Sequence, residues 1–391
     1  MNEFNGVLFR NVRPVSIPDA ADDDPMDILV DDNGRIASSD AFETLPSGAK
    51  AVECNGAFVS PGWMDLHAHI YHGVTDSSVR PSDCGLSHGV TTLVDAGSAG
   101  ERNFPGFREY IVDAAAERIH ALINIGSIGL VAGNDNSEVP ALSALDLDRT
   151  LAMIDKHRDV IKGVKVRASR QVVGDMEMLP VCFAKQAASL AGLPLMVHIG
   201  VPPCFVEGIL DLLTPGDIIT HCFHHKAAGT SLLNNPVLFE RCRNAADQGI
   251  IFDIGHGRSS FSFPVADYCL SNDFLPTTIS TDIHLGNINA AVVDFAHVLS
   301  KFLSLGMTAQ EIVSRATLGP RKALNLPCTT FLKPGTPADL TIFDIEDADA
   351  VLPDSKGVPR PITRLFAPRW AILGDKLVRA VRRELPARDI K

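Results

Sequence analysis

Two histidines close the β-like run FVSPGWMDLHAH at 58–69, and their spacing carries the first chemical signal in the chain. Alternate residues of a strand face the same way, so His67 and His69 share a face. Two imidazoles side by side at a strand end crowd and desolvate one another unless something fills the space between them. A divalent cation does so, because neutral imidazole is its commonest nitrogen ligand. Two hydrogen-bonded core histidines would give the same pattern. His198 in LPLMVHIG (193–200), His221 in DIITHCFH (217–224) and Asp282 in PTTISTDIH (276–284) repeat the signal in three later runs. Each alone has a plain reading as a hydrogen-bonded group; a shared metal accounts for all of them together.

Lys165 in IKGVKVRAS (161–169) is flanked by valines that should face outward, which turns the lysine inward. An inward lysine needs a partner or must lose its charge. A salt bridge or a snorkelling side chain would serve. So would carbamylation by CO₂, which makes an anion able to bridge two cations. Arg167 lies two residues further along the same face, nearer the strand end. It is placed to pair bidentately with a substrate carboxylate, or to form an ion pair with a loop acid. Tyr71, His72, His224, His256, Arg258 and His284 also fall at strand ends or in the loops after them, where pocket-lining residues gather. A loop hydrogen bond is the plainer reading for each. His284 stands out because it shares a face with Asp282. His120 and His157 are assigned no role.

Eight β-like runs hold these residues: 58–69, 90–97, 118–127, 161–169, 193–200, 217–224, 249–257 and 276–284. Amphipathic stretches such as 104–118, 176–191, 235–247 and 289–304 lie between them. Strands alternating with helices imply a parallel sheet, and eight strands are enough to close a barrel. No GxGxxG opens a helix after the first run, which counts against an open dinucleotide-binding sheet. The expected fold is α/β, a (β/α)8 TIM-like barrel over residues 56–328. Residues 1–55 and 329–391 share a texture of short strands and turns and are expected to form one small β-sandwich domain from both termini. The acidic stretch 19–27 reads as a solvated loop.

Of the 391 residues, 46% are hydrophobic and 21% charged, which suits a globular protein with a large core. A formal net charge of −12 without a basic patch excludes a nucleic-acid partner. Eight cysteines are scattered without a CxxC pair and read as buried reduced thiols. No apolar run approaches a bilayer span and the first residues do not read as a secretory signal, so no membrane association and a cytoplasmic location are expected.

The order HxH, Lys, His, His, Asp at runs one, four, five, six and eight resembles the binuclear amidohydrolases, which include dihydroorotases, hydantoinases and related deacetylases. VSPGWMDLHAH resembles the first strand of that family, ATLGPRKALNL its helix after the barrel, and LKPGTPADLTIFD its return into the small β domain. The resemblance implies two divalent metal ions, zinc by analogy, although an N/O ligand set admits manganese or iron. It implies that His67 and His69 with Asp282 hold the more buried ion and that His198 and His221 hold the more exposed one. A carbamylated Lys165 and a hydroxide would bridge the two, with Asp282 as the proton carrier.

Dihydroorotases carry an arginine two residues after HxH; HAHIYHG has Tyr71 there. The phrases KVRAS, GHG followed by SFSF, and STDIH resemble a deacetylase-like branch associated with α-acyloxy or N-acyl carboxylates. The expectation is therefore a deacylase acting on a small carboxylate-bearing molecule, with Arg167, His284 and Tyr71 as candidate substrate contacts. A cyclic amide hydrolase of the dihydroorotase or hydantoinase kind is the alternative. A non-catalytic barrel scaffold is a second one, disfavoured because all six ligand positions are filled. Relatives of this type also imply a homo-oligomer.

Overall fold

A computed structural model describes residues 4–15, 24–38, 48–133, 138–202, 204–226, 230–328 and 332–385. Three strands open the chain: β1 (Val7–Pro14), β2 (Met26–Val30) and β3 (Lys50–Pro61). Seven follow: β4 (Trp63–Ala68), β5 (Val90–Gly100), β6 (Arg118–Asn124), β7 (Ile161–Ala168), β8 (Leu195–Ile199), β9 (Ile218–Thr220) and β10 (Ile251–Asp253). Three close it: β11 (Asp339–Pro353), β12 (Pro359–Leu373) and β13 (Lys376–Arg379).

The middle seven form one sheet in sequence order, every neighbouring pair parallel. Their sequences fit that position. β4 and β5 are buried along their whole length, as a parallel sheet covered on both faces requires. The eighth run, 276–284, does not form a ladder. It makes single bridges, Thr278 with Asp253 and Ile283 with Ala68. Backbone bonds nevertheless tie it to both edges. On the β10 side, Ile254 N–H donates to Thr278 O at 3.1 Å and His256 N–H to Ser280 O at 3.1 Å. On the β4 side, His69 N–H donates to Ile283 O at 3.0 Å and Asp282 N–H to His67 O at 2.6 Å. Asp282 sits at φ +50°, a left-handed conformation that cannot continue an extended ladder. Asp65 on β4 fastens the same segment by accepting Thr281 N–H at 3.0 Å and its hydroxyl at 2.5 Å.

The terminal strands assemble into a single six-stranded sheet, ordered β13-β12-β11-β3-β1-β2, rather than the expected sandwich of two sheets. β1 and β3 run parallel and the other pairs antiparallel, so both ends of the chain share one sheet. The division expected between residues 55 and 56 falls inside β3; the chain changes sheets at Gly62. A Cβ on Gly62 would lie 2.0 Å from Asp339 Oδ1 and 2.1 Å from Thr91 Oγ1, so the crossing admits only glycine. Trp63 follows, fully buried, its ring packed on Phe295, Phe343 and Phe366 with centroids 5.3–6.1 Å away. Across the same junction Asp339 pairs with Arg118 at 2.6 Å and Arg321 at 3.0 Å.

The amphipathic stretches become helices with trimmed ends. Leu179–Ala191 and Pro236–Asp247 match 176–191 and 235–247 closely, the second capped by Asn235 with Pro236 at its first position. The stretch 289–304 becomes helical only at Phe295–Ser304, because Val293 is left-handed (φ +65°) and Asp294 caps the helix by accepting His297 N–H. The stretch 104–118 is shorter than expected, a turn Phe104–Phe107 running into a π-helical Arg108–Val112. All eight cysteines are free thiols, and two of them, Cys182 and Cys328, are exposed rather than buried. Among the described residues no helix is long and apolar enough to cross a membrane. Of the acidic stretch 19–27, residues 19–23 lie outside the described residues.

Candidate metal centre

His67 lies within β4, Lys165 within β7 and His198 within β8, while His69, His221 and Asp282 stand just beyond strand ends. The parallel sheet brings all six together at one end. Asp282 is the hub. Its Oδ1 lies 3.1 Å from His69 Nε2 and 3.4 Å from His67 Nε2, and its Oδ2 lies 3.9 Å from His221 Nε2. His221 Nε2 is 2.9 Å from His198 Nδ1, and Lys165 Nζ is 3.3 Å from His67 Nε2. His67, His221 and Asp282 offer ligand atoms within 4.8 Å of one another.

Outer contacts fix how each ring faces. His67 Nδ1 meets Thr220 Oγ1 at 3.0 Å, and that hydroxyl donates to Asp253 Oδ2 at 2.6 Å. Asp253 also accepts the hydroxyls of Thr278 and Ser280 at 2.7 and 2.8 Å, so β9, β10 and the bridging segment converge on it. With Nδ1–H given to Thr220, His67 turns the Nε2 lone pair toward Asp282 and Lys165. His69 Nδ1 is held by Ser98 Oγ at 3.0 Å, and His221 Nδ1–H donates to Gly255 O at 2.6 Å. These partners orient imidazoles as the outer contacts of a metal site do. His221 also has a positive φ, +72°. With Asp282, two non-glycine residues of the cluster carry left-handed backbones, each at a cost of about 1–3 kcal/mol and of the kind that gathers at functional sites.

The electrostatics favour a cation among neutral rings. Burial, with Lys165 adding to it, pulls His67 down to about 4. Burial likewise holds His198 and His221 well below the usual imidazole range, so all three rings stay neutral near pH 7. Burial pushes the Asp282 carboxyl up, but the charge that His67 and His221 carry when protonated and the hydrogen bond from His69 outweigh it, and the carboxyl is held well below the usual carboxylate range. Burial draws Lys165 down to about 8; it is fully buried, and among the described residues Nζ has His67 and Met196 Sδ as its hydrogen-bond neighbours, each at 3.3 Å.

Part of the donor set has the spacing of metal ligands, and among the described residues the group whose ligand atoms all lie within 4.8 Å of one another is His67, His221 and Asp282, without His69 or His198. Nitrogen and oxygen ligands bound at about 2.0–2.1 Å to one tetrahedral ion lie about 3.3 Å apart. The His67–Asp282, His69–Asp282 and His198–His221 atom pairs are spaced at 3.4, 3.1 and 2.9 Å.

The residues expected to contact substrate are placed differently. Arg167 Nε pairs with the buried Glu138 at 2.5 Å, which is the loop-acid alternative. The Tyr71 hydroxyl donates to Asn103 O at 2.9 Å and its ring packs edge-on against Phe107, so it is engaged away from the cluster. His284 does stand beside the cluster, its ring centroid 6.5 Å from that of His69. Next to it a cavity of about 980 Å³ opens, lined by Arg258, Gly286 and the β11–β12 turn at Asp354 and Ser355.

Sequence reasoning missed Asp253, Thr220 and Ser98, which hold the rings, and Lys226, which faces the site from the loop after β9. The period-two rule that found His198 applies equally to Asp253 at the end of β10. Lys226 follows two further histidines in CFHHKAAG and carries no strand signal.

Comparison with known proteins adds to this geometry. Residues 332–377 match a family model described as a deacetylase-like composite domain. The chain is 44% identical over 376 residues to a deacetylase of Agrobacterium fabrum, covering 96% of this chain and 92% of that one. It is 34% identical over 324 residues to a deacetylase of Enterococcus faecalis, covering 82% and 87%. It is also similar to a crystal structure described as a dihydroorotase, with a TM-score of 0.92, 42% identity, and coverage of 98% of this chain and 100% of the other.

Proposed function

The chain belongs to the amidohydrolase superfamily, in the family of its deacetylase-named relatives, and from that premise we propose that it hydrolyses an acyl group from a small carboxylate-bearing ester or amide. The observation that carries this reading is the convergence of four histidines, a buried lysine and a carboxylate on Asp282 at one end of the parallel sheet. We read the seven strands and the bridging segment 277–283 as an eightfold barrel whose mouth holds the site.

His67, His69 and Asp282 would hold one divalent ion and His198 with His221 a second, both zinc on this reading. Lys165, carbamylated, would join the two sets; conversion to an anion relieves a fully buried ammonium that has no carboxylate within bonding distance. When bound, the ions supply a water acidic enough to attack at neutral pH and an electrophile for the scissile carbonyl.

The chain's own groups do the rest. Asp282, kept ionised by its histidines, accepts the proton of the attacking water at a carboxylate oxygen. It returns that proton to the leaving oxygen or nitrogen as the C–O or C–N bond breaks. The products are the free carboxylic acid of the acyl group and a hydroxy or amino carboxylate. His284, beside His69, borders the space where the leaving group must sit.

Dihydroorotate and hydantoin ring opening would use the same centre with a different pocket. A panel of O-acetyl hydroxy acids, N-acetyl amino acids, dihydroorotate and hydantoins, assayed with zinc-loaded protein, separates the readings. Hydrolysis of the acetyl compounds with no ring opening is expected; ring opening with the acetyl compounds untouched overturns the proposal.

A further inference from the structure

At the mouth of the site Lys226 is a cation without a counter-charge among the described residues. Arg167 faces inward, but the buried Glu138 balances its charge at 2.5 Å. Lys226 is half-buried on the loop after β9, and among the described residues its ammonium makes no ion pair and no hydrogen bond. Burial lowers its pKa to about 8, opposed by Asp282, which leaves it mostly charged at pH 7. Sequestering an ammonium without a counter-charge is costly, and the cost is recovered when an anion arrives.

A second donor stands close to that ammonium. Gly200 follows β8, two residues after His198. A Cβ added there would fall 2.3 Å from Ser169 Oγ, 3.1 Å from Lys226 Nζ and 3.6 Å from His198 Nε2. Three polar groups from three separate segments thus crowd the place where a side chain would stand, and a glycine at 200 lets them come this close. Ser169, which follows β7, is 5% exposed, and its hydroxyl has no hydrogen-bond partner among the described residues. A hydroxyl donor and an ammonium held this close together suit a carboxylate, which is an acceptor at both oxygens.

We propose that Lys226 and Ser169, brought together over Gly200, form the subsite that binds the carboxylate of the substrate beside His198, with Lys226 Nζ as the charge partner and Ser169 Oγ as the second donor. The inference rests on the acyl-carboxylate reading above and deepens it by naming the selecting residues. The subsite makes the enzyme specific for anionic acyl compounds and places the acyl group toward the histidine–aspartate cluster.

The test compares an O-acetyl 2-hydroxy acid with its neutral methyl ester on metal-loaded protein. Lys226→Met should raise KM for the acid about 10–100-fold, the range of one charge-assisted bond, and leave kcat, metal content and the neutral ester nearly unchanged. Lys226→Arg should restore most of the affinity, and Gly200→Ala should impair the acid more than the ester. An equal loss on acid and ester, or no loss on either, overturns the subsite.

Should the wild type hydrolyse no acyl ester, the functional reading fails and the subsite is judged by binding alone. Calorimetry of the zinc-loaded wild type with the free 2-hydroxy carboxylate should then show binding that Lys226→Met loses. Absent binding, or equal binding in both proteins, refutes it.

Discussion

At the scale of single residues, the site is a problem in keeping imidazoles neutral and correctly turned. His67 does both because its Nδ1 is tied through Thr220 to Asp253, leaving Nε2 free to face Asp282. Replacing Thr220 by Val keeps the volume nearly unchanged and cuts that link without touching a ligand. The expected outcome is a 10–100-fold weaker metal affinity, about the usual effect of losing an outer hydrogen bond, measured by chelator competition. Unchanged affinity would mean that the ring is held by packing alone. The histidines and Asp282 were legible in the sequence because they fall near the ends of separate β runs, and Lys165 because its flanking valines turn it inward. Thr220 was not, since a threonine in a β run carries no chemical mark until its neighbours are known; Asp253 ends a β run as His198 nearly does, but was not picked out. Arg167 shows the same limit: its face was readable, its partner Glu138 was not, because the two lie on different segments.

At the scale of elements, the fold is set by where strands must stop or change sheets. The sequence marks the apolar runs well. It does not mark the break between β3 and β4, because residues 58–69 read as one run and the break is imposed by Asp339 and Thr91 crowding Gly62. Gly62→Ala should destabilise the protein by about 1–3 kcal/mol through overpacking, visible as a lower midpoint of urea unfolding. A midpoint equal to the wild type would show that Asp339 and Thr91 can move aside. The last run is the opposite case. Residues 276–284 have a strand-like composition, yet Asp282 must turn its carboxylate onto His67, His69 and His221. Its left-handed backbone then interrupts the ladder. The chemistry there has overridden the local β preference.

At the scale of the whole molecule, two sheets built from different parts of the chain must stay docked for the mouth to keep its shape. Asp339 on β11, with Arg118 on β6 and Arg321 on the helix Ala309–Ala323, is the ionic tie between them. Burial pushes the Asp339 carboxyl up, but Arg321 and Arg118 outweigh it and hold it below the usual range. A carboxyl more acidic in the folded than in the unfolded chain stabilises fully above its unfolded pKa, about 3.9, and that share is lost as pH falls through the folded value. Asp339→Asn should therefore lower the urea midpoint at pH 7, and the gap to wild type should narrow below about pH 4. A gap that stays constant with pH would show that the charge of Asp339 contributes nothing. That the two terminal segments come together was legible from their common texture. That they form one sheet rather than two was not, because strand pairing order leaves no trace in a single sequence.

The central claim is that this hydrolase works through a metal pair held by the cluster around Asp282. The most direct measurement is a zinc titration of chelator-stripped protein in bicarbonate, following hydrolysis of an O-acetyl hydroxy acid. The account predicts no activity without metal and a return that saturates near two ions per chain, about the stoichiometry of a two-metal site. Activity that is full in the stripped protein, or absent at zinc saturation while the ions are bound, would contradict it.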